Sequence, residues 1–363
     1  MKKKNICGIV VWAIMTALGM TACEKEPPAP GTQDTIEFET MHALVLNEGP
    51  QGNNASLSYL DLGNGTLVND WFAAANGRGL GNVAQDLVIY GSKAYVTVWA
   101  SGSLEVIDTA TGTATHIDLG NRGPRYIAAE GGKLYITCYN PHSVIRVDTN
   151  TLEIEATCTL GGFNPEGIAV AAGKLFVVSD NISDQSGNYS YDDKLYVINI
   201  STFEVDTTIV VGSNPQKVMP VGSQYLVVNC WGEWNMNTGA TVGEGCAIVN
   251  VQTLEVRQVG NLLTNMAVHG DMVYGYASTY DASWQMTTTF MKIDPQTLVK
   301  TTILDDCGIN NPYAIAVHPT SGNVYVATDG NYISNGDLYC FAPDGTRRWK
   351  REVGMLPSKI VFF

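Results

Sequence analysis

The segment LPSKIVFF, residues Leu356–Phe363, completes a pattern that the chain leaves unfinished at its start. Related segments precede it, as GPRYIAA from Gly123, NPEGIAV from Asn164, NPQKVMP from Asn214 and NPYAIAV from Asn311. A second apolar run, a polar loop and two more strand-like runs follow each earlier copy, and none follows the last. The first repeat begins at His42 (HALVLNE) with the second run. The pattern therefore predicts that the C-terminal strand completes the first repeat and closes a ring.

Short runs rich in Val, Ile, Leu and Tyr recur at a spacing of roughly 40 to 50 residues, which is typical of propellers and solenoids. The second runs of the seven repeats begin at Ala43, Ala94, Leu134, Leu175, Tyr225, Met272 and Val324. Gly, Asn, Asp or Pro residues bound the runs, as they do at the ends of strands. No helical period is present outside the N-terminus. We therefore predict an all-β fold, a seven-bladed β-propeller of four-stranded blades over residues 42–363.

Residues 1–22 resemble a bacterial lipoprotein signal peptide. Lys2–Lys4 form a basic start, and the apolar core Ile6–Met20 is shorter than the roughly 20 residues that span a bilayer. Small residues precede Cys23, the expected site of lipidation; an ordinary secretory peptide is the alternative. The glutamates that follow the cysteine resemble the acidic export tag of Bacteroidetes surface lipoproteins. With residues 23–41 as the lipidated cysteine and a flexible tether, we expect an outer-membrane, cell-surface location.

The chain carries a formal net charge of −14, from 21 Lys and Arg against 35 Asp and Glu. A field of that sign repels phosphate, so the sequence excludes non-specific binding of nucleic acid. Anionic membrane surfaces would be repelled for the same reason. The expected membrane attachment is therefore the lipid anchor on Cys23 alone.

Cys230 and Cys246 lie on either side of one long loop, at the end of a second run and the start of a third. Residues at such positions of an antiparallel hairpin can lie opposite each other, so a disulfide that staples the loop is possible. Two free thiols are the alternative. No spacing of Cys and His suggests a zinc site, and we expect no metal centre.

The two faces of the predicted propeller differ in the lengths of their loops. Turns between first and second runs are minimal, as in EGGK at Glu130 and AAGK at Ala171, whereas several loops between second and third runs are long. The latter share a face with the segments that join successive blades, and we call it the long-loop face. Long loops on a compact scaffold are usually functional, so we expect the site there.

Aromatic and amide side chains are concentrated in the loops and blade-joining segments of the long-loop face. Aromatic faces supply contact area, while amides and guanidinium groups fix orientation, so the set suits a large ligand with a polar rim. Packing at blade junctions is the alternative for some of the rings. The predicted ligand-binding residues are Arg78, Arg122, Arg125, Tyr139, Asn140, Phe163, Glu166, Asn181, Asn214, Gln216, Trp231, Trp234, Asn265, Tyr280, Trp284, Asn311, Tyr313 and Tyr332.

Sequence motifs for catalysis are scarce. The chain has no GxSxG, HExxH or P-loop pattern, and of its five histidines only His142 falls near the long-loop face. Acidic loop residues are interpreted as solvated, because no spacing enforces calcium coordination. The sequence thus predicts a binding protein without catalytic residues.

Several motifs resemble those of a family of Bacteroidetes propeller lipoproteins related to the YncE-like and NHL-type propellers. They are NEG at Asn47, NASLSYLD at Asn54, ANGRGLGNVAQDLVI at Ala75, PRYI at Pro124, NCW at Asn229 and the closing LPSKIVFF. The group includes BtuG-type cobalamin-binding lipoproteins. The resemblance implies capture of cobalamin or a related corrinoid as a bound ligand, with no required cofactor. It also implies delivery to a TonB-dependent outer-membrane transporter.

Two other functions stay open at this point. Aromatic loops also suit a surface scaffold that binds glycans or proteins. An extracellular lactonase or lyase would need His or acidic residues that converge on the propeller axis, for which His142, Glu166 and Asp86 are the candidates.

Overall fold

The computed structural model describes residues 41–52, 54–183, 187, 189–235, 240–280, 286–309 and 311–363. The predicted signal peptide, Cys23, the tether up to residue 40 and Trp284 lie outside these residues, and the description of Tyr280 is limited to its backbone. Within these ranges, no helix has both the length and the apolar character needed to cross a bilayer.

The described residues form seven four-stranded antiparallel sheets arranged as a propeller, which confirms the predicted fold. The strands of blades one to four are, in chain order, β1 (His42–Asn47), β2 (Ser56–Asp61) and β3 (Thr66–Val68) in blade one; β4 (Ala84–Tyr90), β5 (Lys93–Val98), β6 (Ser103–Asp108) and β7 (Ala114–Asp118) in blade two; β8 (Pro124–Glu130), β9 (Lys133–Cys138), β10 (Ser143–Asp148) and β11 (Ile154–Thr159) in blade three; and β12 (Pro165–Ala171), β13 (Lys174–Ser179), the hairpin β14 (Asn181–Ser183) and β15 (Tyr189–Tyr191), β16 (Lys194–Asn199) and β17 (Glu204–Val210) in blade four.

Blades five to seven follow the same order of strands. Their bounds are β18 (Pro215–Val221), β19 (Tyr225–Cys230), the hairpin β20 (Glu233–Asn235) and β21 (Ala240–Val242), β22 (Gly245–Asn250) and β23 (Val256–Gln258) in blade five; β24 (Asn265–His269), β25 (Met272–Tyr280), β26 (Met286–Ile293) and β27 (Lys300–Ile303) in blade six; and β28 (Pro312–Val317), β29 (Val324–Thr328), β30 (Asp337–Phe341) and β31 (Arg347–Glu352) in blade seven. The last strand is β32 (Pro357–Phe362).

The ring is closed by β32, which joins blade one as its innermost strand. It pairs antiparallel with β1, with Ala43 opposite Phe362 and Val45 opposite Ile360. At the end of the pair, His42 and Phe363 exchange two backbone hydrogen bonds of 2.9 Å. The closure predicted from LPSKIVFF is therefore confirmed. Strand β32 supplies the innermost strand of blade one.

Apolar clusters fill the junctions between successive blades. Most second strands are buried on both faces: in β9, for example, every residue after Lys133 is buried. Each fully buried aliphatic side chain contributes about 1.5–3 kcal/mol relative to an exposed one. The junction of blades seven and one packs Tyr325 and Trp349 against Val45 and Ile360. The hydrophobic core thus lies between the blades and does not fill the propeller axis.

One short helix departs from the sequence interpretation, which contained no helix after the N-terminus. Helix α1 (Trp71–Asn76) lies between blades one and two, begins after Asp70 and ends at Gly77, whose φ is 65°. Its one buried side chain is that of Phe72. Six residues are too few to show a helical period, so the apolar pattern could not indicate it.

The disulfide considered between Cys230 and Cys246 is not formed, and both thiols are free and buried. Cys230 lies opposite Gly245 in the β19–β22 ladder, and Cys246 lies opposite Asn229. Because side chains alternate between the faces of a sheet, this offset of one residue directs the two thiols to opposite faces. Cys230 packs in the junction with blade four, and Cys246 in the junction with blade six.

Candidate functional site

The innermost strands of six blades carry a β-bulge close to their start. In β18, Pro215 is paired with Cys230 and Lys217 with Asn229, so Gln216 stands outside the register. A bulge bends the strand and redirects a side chain, and bulges are common beside active sites. The residues that follow the Pro or Ala at this position are Gln85, Arg125, Glu166, Gln216, Tyr313 and Ser358, and all of them line one central cavity.

This central cavity, the funnel cavity, has a volume of about 880 Å³. Side chains from the long-loop face contribute to its wall, including Trp99, Trp231 and Tyr332. Trp231 and Tyr332 keep 44% and 60% of their surfaces exposed. Large rings that remain accessible in a cavity are available to contact a ligand. The cavity therefore combines a polar base of strand residues with aromatic rings from the loops.

A second cavity, the bore cavity, occupies the same axis and has a volume of about 560 Å³. It is lined mainly by apolar residues from the later part of the innermost strands, such as Val170, Met219 and Phe362. Six residues line both cavities and form a polar collar between them. The collar consists of Asp86, Tyr126, Lys217, Asn265, Ser358 and Lys359.

Arg125 is the centre of a buried polar network in the funnel cavity. Its Nη2 donates to Glu166 Oε1 at 2.8 Å, and its Nη1 donates to Gln85 Oε1 at 2.5 Å. The hydroxyl of Tyr139 donates to the same Glu166. The guanidinium also lies 4.8 Å from the centroid of the Tyr139 ring and 5.6 Å from that of Trp99. Burial opposes the charge of Arg125, but Glu166 raises the pKa of the guanidinium overall, so this ion pair is fixed at neutral pH.

Burial raises the pKa of two further carboxyl groups of the funnel cavity. Burial, and next the negative charge of Glu166, raises the pKa of Asp180 to about 7. Burial also raises the pKa of Glu48, whose carboxylate accepts a hydrogen bond of 2.7 Å from the Tyr313 hydroxyl. The negative charge of this wall is therefore smaller at neutral pH than the number of acidic residues indicates.

The collar holds two lysines on different blades. Lys359 on β32 pairs with Asp86 on β4 at 2.5 Å. Lys217 on β18 donates from Nζ to Asn265 Oδ1 at 3.0 Å. Burial, and next the positive charge of Lys359, lowers the pKa of Lys217 to about 8. The ammonium groups of Lys217 and Lys359 therefore repel each other across the axis.

Gly167 allows blades four and five to approach closely at the collar. A Cβ at this position would lie 2.7 Å from Lys217 Cα and 2.8 Å from the Gln216 carbonyl oxygen. Real Cβ atoms do not approach backbone atoms so closely, so any side chain here would displace β18. The glycine thereby sets the position of Lys217 relative to β12.

A family model described as Domain of unknown function (DUF5074) matches residues 42–341. The chain belongs to this family. A comparison with curated proteins finds no match. The match covers all seven blades, apart from the last two strands, and the DUF5074 description carries no activity of its own.

Solved structures share the propeller fold of this DUF5074 chain. They include the Kuenenia stuttgartiensis hydrazine synthase (14% identity, TM-score 0.58, covering 77% of this chain and 95% of that one). A Bacteroides thetaiotaomicron quinonprotein alcohol dehydrogenase-like protein has 12% identity and a TM-score of 0.59, covering 89% of this chain and 78% of that one. A proposed 6-phosphogluconolactonase from Bacteroides fragilis has 10% identity and a TM-score of 0.60, covering 90% and 98%. At such identities the similarity shows the fold alone, and enzymes occur among these neighbours.

Half of the predicted ligand-binding residues lie together on the funnel cavity. They are Arg125, Tyr139, Glu166, Gln216, Trp231, Asn265, Asn311, Tyr313 and Tyr332. They come from blades three to seven or from the loops that join them, although they are far apart in sequence. Whether they contact a ligand stays a prediction.

Seven other predicted residues lie elsewhere: Arg78, Arg122, Asn140, Phe163, Asn181, Asn214 and Trp234. Arg78 is turned away by Glu105, with Nη2 and Oε2 2.6 Å apart. Asn140 donates to the Asn121 carbonyl, and its backbone N–H donates to the Arg122 carbonyl. Arg78 and Asn140 are thus held by local contacts. Although both residues lie near the long-loop face in sequence, their side chains do not line the funnel cavity.

Three of the other residues, Phe163, Asn181 and Asn214, also make local contacts. The ring of Phe163 lies 5.8 Å from Lys194 Nζ, and Asn181 donates to the Asp180 carboxylate at 3.0 Å. Asn214 accepts from Gln216 Nε2 at 2.8 Å, so it orients a lining residue. Trp234 is 47% exposed on β20, outside the cavity. Trp284 and the Tyr280 side chain lie outside the described residues.

Sequence reasoning missed most of the collar and part of the funnel wall. Gln85 and Ser358 occupy the same repeat position as the predicted Arg125, directly after the Ala or Pro that opens the strand. Asp86 and Lys359 occupy the next position. An alignment of the innermost strands would have placed these residues in one ring. Gln85, Ser358 and Lys359 were overlooked because each lies in a run that otherwise reads as apolar strand, and Asp86 was named only as a candidate for a lactonase or lyase.

Proposed function

We propose that this DUF5074 propeller captures cobalamin or a related corrinoid in the funnel cavity and passes it to a TonB-dependent outer-membrane transporter. The observation that carries the proposal is the funnel cavity itself, which combines accessible aromatic rings with amide groups in about 880 Å³. The sequence resemblance to BtuG-type lipoproteins supports the choice of ligand. The chemistry of the wall supports a large ligand with a polar rim.

The aromatic side chains of the cavity suit a flat ligand face. Trp231 and Tyr332 are accessible, and Trp99 and Tyr139 are held against Arg125. Rings that are held by neighbouring contacts lose little freedom on binding, which favours affinity. A corrin ring can lie against such surfaces and bury apolar area on its faces.

The amide side chains of the cavity suit the amides on the rim of a corrinoid. Gln216, Asn265 and Asn311 each combine donor and acceptor atoms, and amide groups pair with amide groups in either direction. Asn311 is held by a hydrogen bond of 2.6 Å to Asn331 Oδ1. These groups would orient the ligand, whereas the aromatic rings would supply most of its contact area.

The anchoring and delivery steps rest on the sequence of the N-terminus. A lipidated Cys23 followed by the tether would hold the propeller at the outer membrane with freedom to reach a transporter. The membrane contact would come from the lipid, because the acidic chain repels anionic surfaces.

The direct test is gel filtration of the Ile36–Phe363 unit, which forms one compact body, with excess cyanocobalamin and detection in the visible range. Corrinoid absorbance that elutes with the protein supports the proposal. A colourless protein peak contradicts it, and a glycan array together with co-purification of transporters would then test the surface-scaffold function.

One observation favours a second candidate, a lactonase or lyase. Asp180, whose pKa burial and Glu166 raise to about 7, lies in the same cavity as the ion pair of Arg125 and Glu166, so a potential proton donor and a carboxylate share one site. Turnover of a lactone panel by the native protein, abolished in Asp180→Asn, would establish this function. Absence of turnover on the whole panel would remove it.

A further inference from the structure

Lys217 differs from the other cations of the funnel cavity in its lack of an acidic partner. Arg125 is paired with Glu166 at 2.8 Å and Lys359 with Asp86 at 2.5 Å. Among the described residues, no ion pair joins Lys217 to a carboxylate, and its Nζ donates to the neutral Asn265 Oδ1. The collar therefore contains one ammonium group whose charge the protein does not balance by direct contact.

Asn265 is a weak partner for this ammonium group. Its Oδ1 also accepts the backbone N–H of Met266 at 2.8 Å, and its Nδ2 donates to the Tyr313 carbonyl at 2.8 Å. The amide is thus fixed in orientation and shared between two donors. An ammonium group has three N–H donors, and the described contacts of Lys217 use one of them. The others remain available to an acceptor in the cavity.

An ammonium group in this environment is costly without a counter-charge. Burial and the nearby Lys359 both disfavour the charged form of Lys217, and the pKa falls to about 8. The carboxylates of Asp86, Glu48 and Glu166 act on it in the opposite sense, with smaller effects. A buried charge that is neither paired nor fully hydrogen-bonded is destabilising, and such groups are concentrated at functional sites.

The acidic residues around Lys217 do not cancel its charge. Asp86 and Glu166 are already neutralised by Lys359 and Arg125. The carboxylate of Glu48 accepts the hydrogen bond of the Tyr313 hydroxyl at 2.7 Å. Among the described residues, no carboxylate therefore contacts the Lys217 ammonium group directly.

We propose that Lys217, with Lys359 beside it, forms an oxyanion subsite at the base of the funnel cavity that binds a phosphate group of the ligand. Phosphate oxygens supply the acceptors and the negative charge that Lys217 lacks. The subsite rests on the proposed function for the identity of the whole ligand, because the nucleotide tail of cobalamin carries a phosphodiester. Its own chemistry does not depend on a corrin ring.

The first test uses inorganic phosphate and the native protein labelled with ¹³C at the ε position of lysine. The Lys217 signal is identified by its loss in Lys217→Met. We expect phosphate to shift this signal in a saturable manner and to raise the pKa of Lys217, because an anion stabilises the ammonium form. Lys174, a surface lysine 3.9 Å from Asp206, is the matched control. An unchanged Lys217 signal, or equal shifts of both lysines, overturns the subsite.

The second test compares cyanocobalamin with dicyanocobinamide, which lacks the nucleotide tail and its phosphate. We expect Lys217→Met to reduce the ratio of the two affinities by about tenfold or more, since charged hydrogen bonds are among the strong ones, and Lys217→Arg to restore part of it. A ratio that stays unchanged in folded Lys217→Met overturns the subsite. If Lys217→Met does not fold, Lys217→Arg also lacks the labelled lysine and identifies the Lys217 signal for the phosphate titration of the native protein.

The two tests separate the subsite from the proposed function. If phosphate shifts Lys217 but neither corrinoid binds, the subsite stands and the corrinoid function fails. If both corrinoids bind but phosphate leaves Lys217 unaffected, the function stands and the subsite fails.

Discussion

The funnel cavity and the bore cavity are built from the same innermost strands but differ in chemistry. The first residues of β18, Gln216 and Lys217, face the funnel cavity, whereas Met219 and Pro220 further along the strand face the bore cavity. Both ends of the strand pair with β19, although the bulge leaves Gln216 outside the register at the funnel end. Strand formation therefore does not require the charged collar, and burial of charge costs free energy. A collar whose buried charges oppose folding is what the proposed binding function of the funnel cavity would require.

The largest expected effect comes from removal of the charge that balances Glu166. Arg125→Met leaves a carboxylate that is 1% exposed without its ion pair, so we expect a loss of about 3–5 kcal/mol in the free energy of unfolding. Urea unfolding measures this loss. Lys174→Met, which removes a surface ion pair of 3.9 Å, is the control, with an expected change of about 0–1 kcal/mol. Equal losses in the two variants would show that the funnel network is not specially sensitive.

Protonation of Asp180 should make the stability of the funnel end depend on pH. Its pKa is raised from 3.8 to about 7 in the folded state, so its contribution to stability is present below pH 3.8 and is lost as pH rises through about 7. The native protein should lose up to roughly 4 kcal/mol across this window through this group. Asp180→Asn should show a flatter dependence in urea unfolding at a series of pH values. Lys217 stays protonated over most of this window. Parallel profiles of the two proteins would contradict the assignment.

The accessible aromatic rings of the funnel cavity should dominate ligand affinity. Trp231→Ala combined with Tyr332→Ala removes two exposed rings from the wall, and we expect cyanocobalamin affinity to fall by more than about tenfold. Isothermal titration calorimetry measures the change. Trp234→Ala combined with Tyr189→Ala is the matched control, since both rings are exposed outside the cavity. A control that loses as much affinity would move the site onto the loop hairpins.

The smallest effect is expected on the other side of the collar. Met219→Gln changes a bore-cavity residue two positions from Lys217, and we expect corrinoid affinity to stay within about twofold because substitutions that lose no ligand contact have small effects on binding. The same calorimetric titration serves as the measurement. A large loss would mean that the ligand passes the collar, and the two cavities would then form one site.

The repeat architecture could be predicted because each blade repeats the same apolar runs and turns. The C-terminal LPSKIVFF indicated the closing strand, and the register of β32 against β1 confirms it. Helix α1 was missed because its six residues do not complete two turns. Whether Cys230 pairs with Cys246 stayed open because loop position does not fix register, and a shift of one residue reverses the face of a side chain; the structure has the two free thiols.

The site was only partly accessible to sequence reasoning. Loop aromatics such as Trp231 could be predicted because long loops on a compact scaffold are usually functional. Nine of the predicted residues lie on the funnel cavity. Lys217 and Lys359 were missed because a single charged residue in an apolar run looks like a solvent-facing strand position. The bulges that redirect the neighbouring side chains to the axis depend on strand pairing, which the sequence alone does not specify.

The closing strand also carries part of the site. Lys359 on β32 meets Asp86 across 273 residues of chain, and Ser358 belongs to the same collar. The complete collar therefore exists only while the two ends of the propeller are joined. A ligand that binds the complete collar must favour the closed ring over any state in which β32 has separated, in proportion to its free concentration and affinity. A propeller with bound ligand should consequently resist separation of β32 from β1. The closing strand would then contribute both to ligand capture and to the stability of the protein.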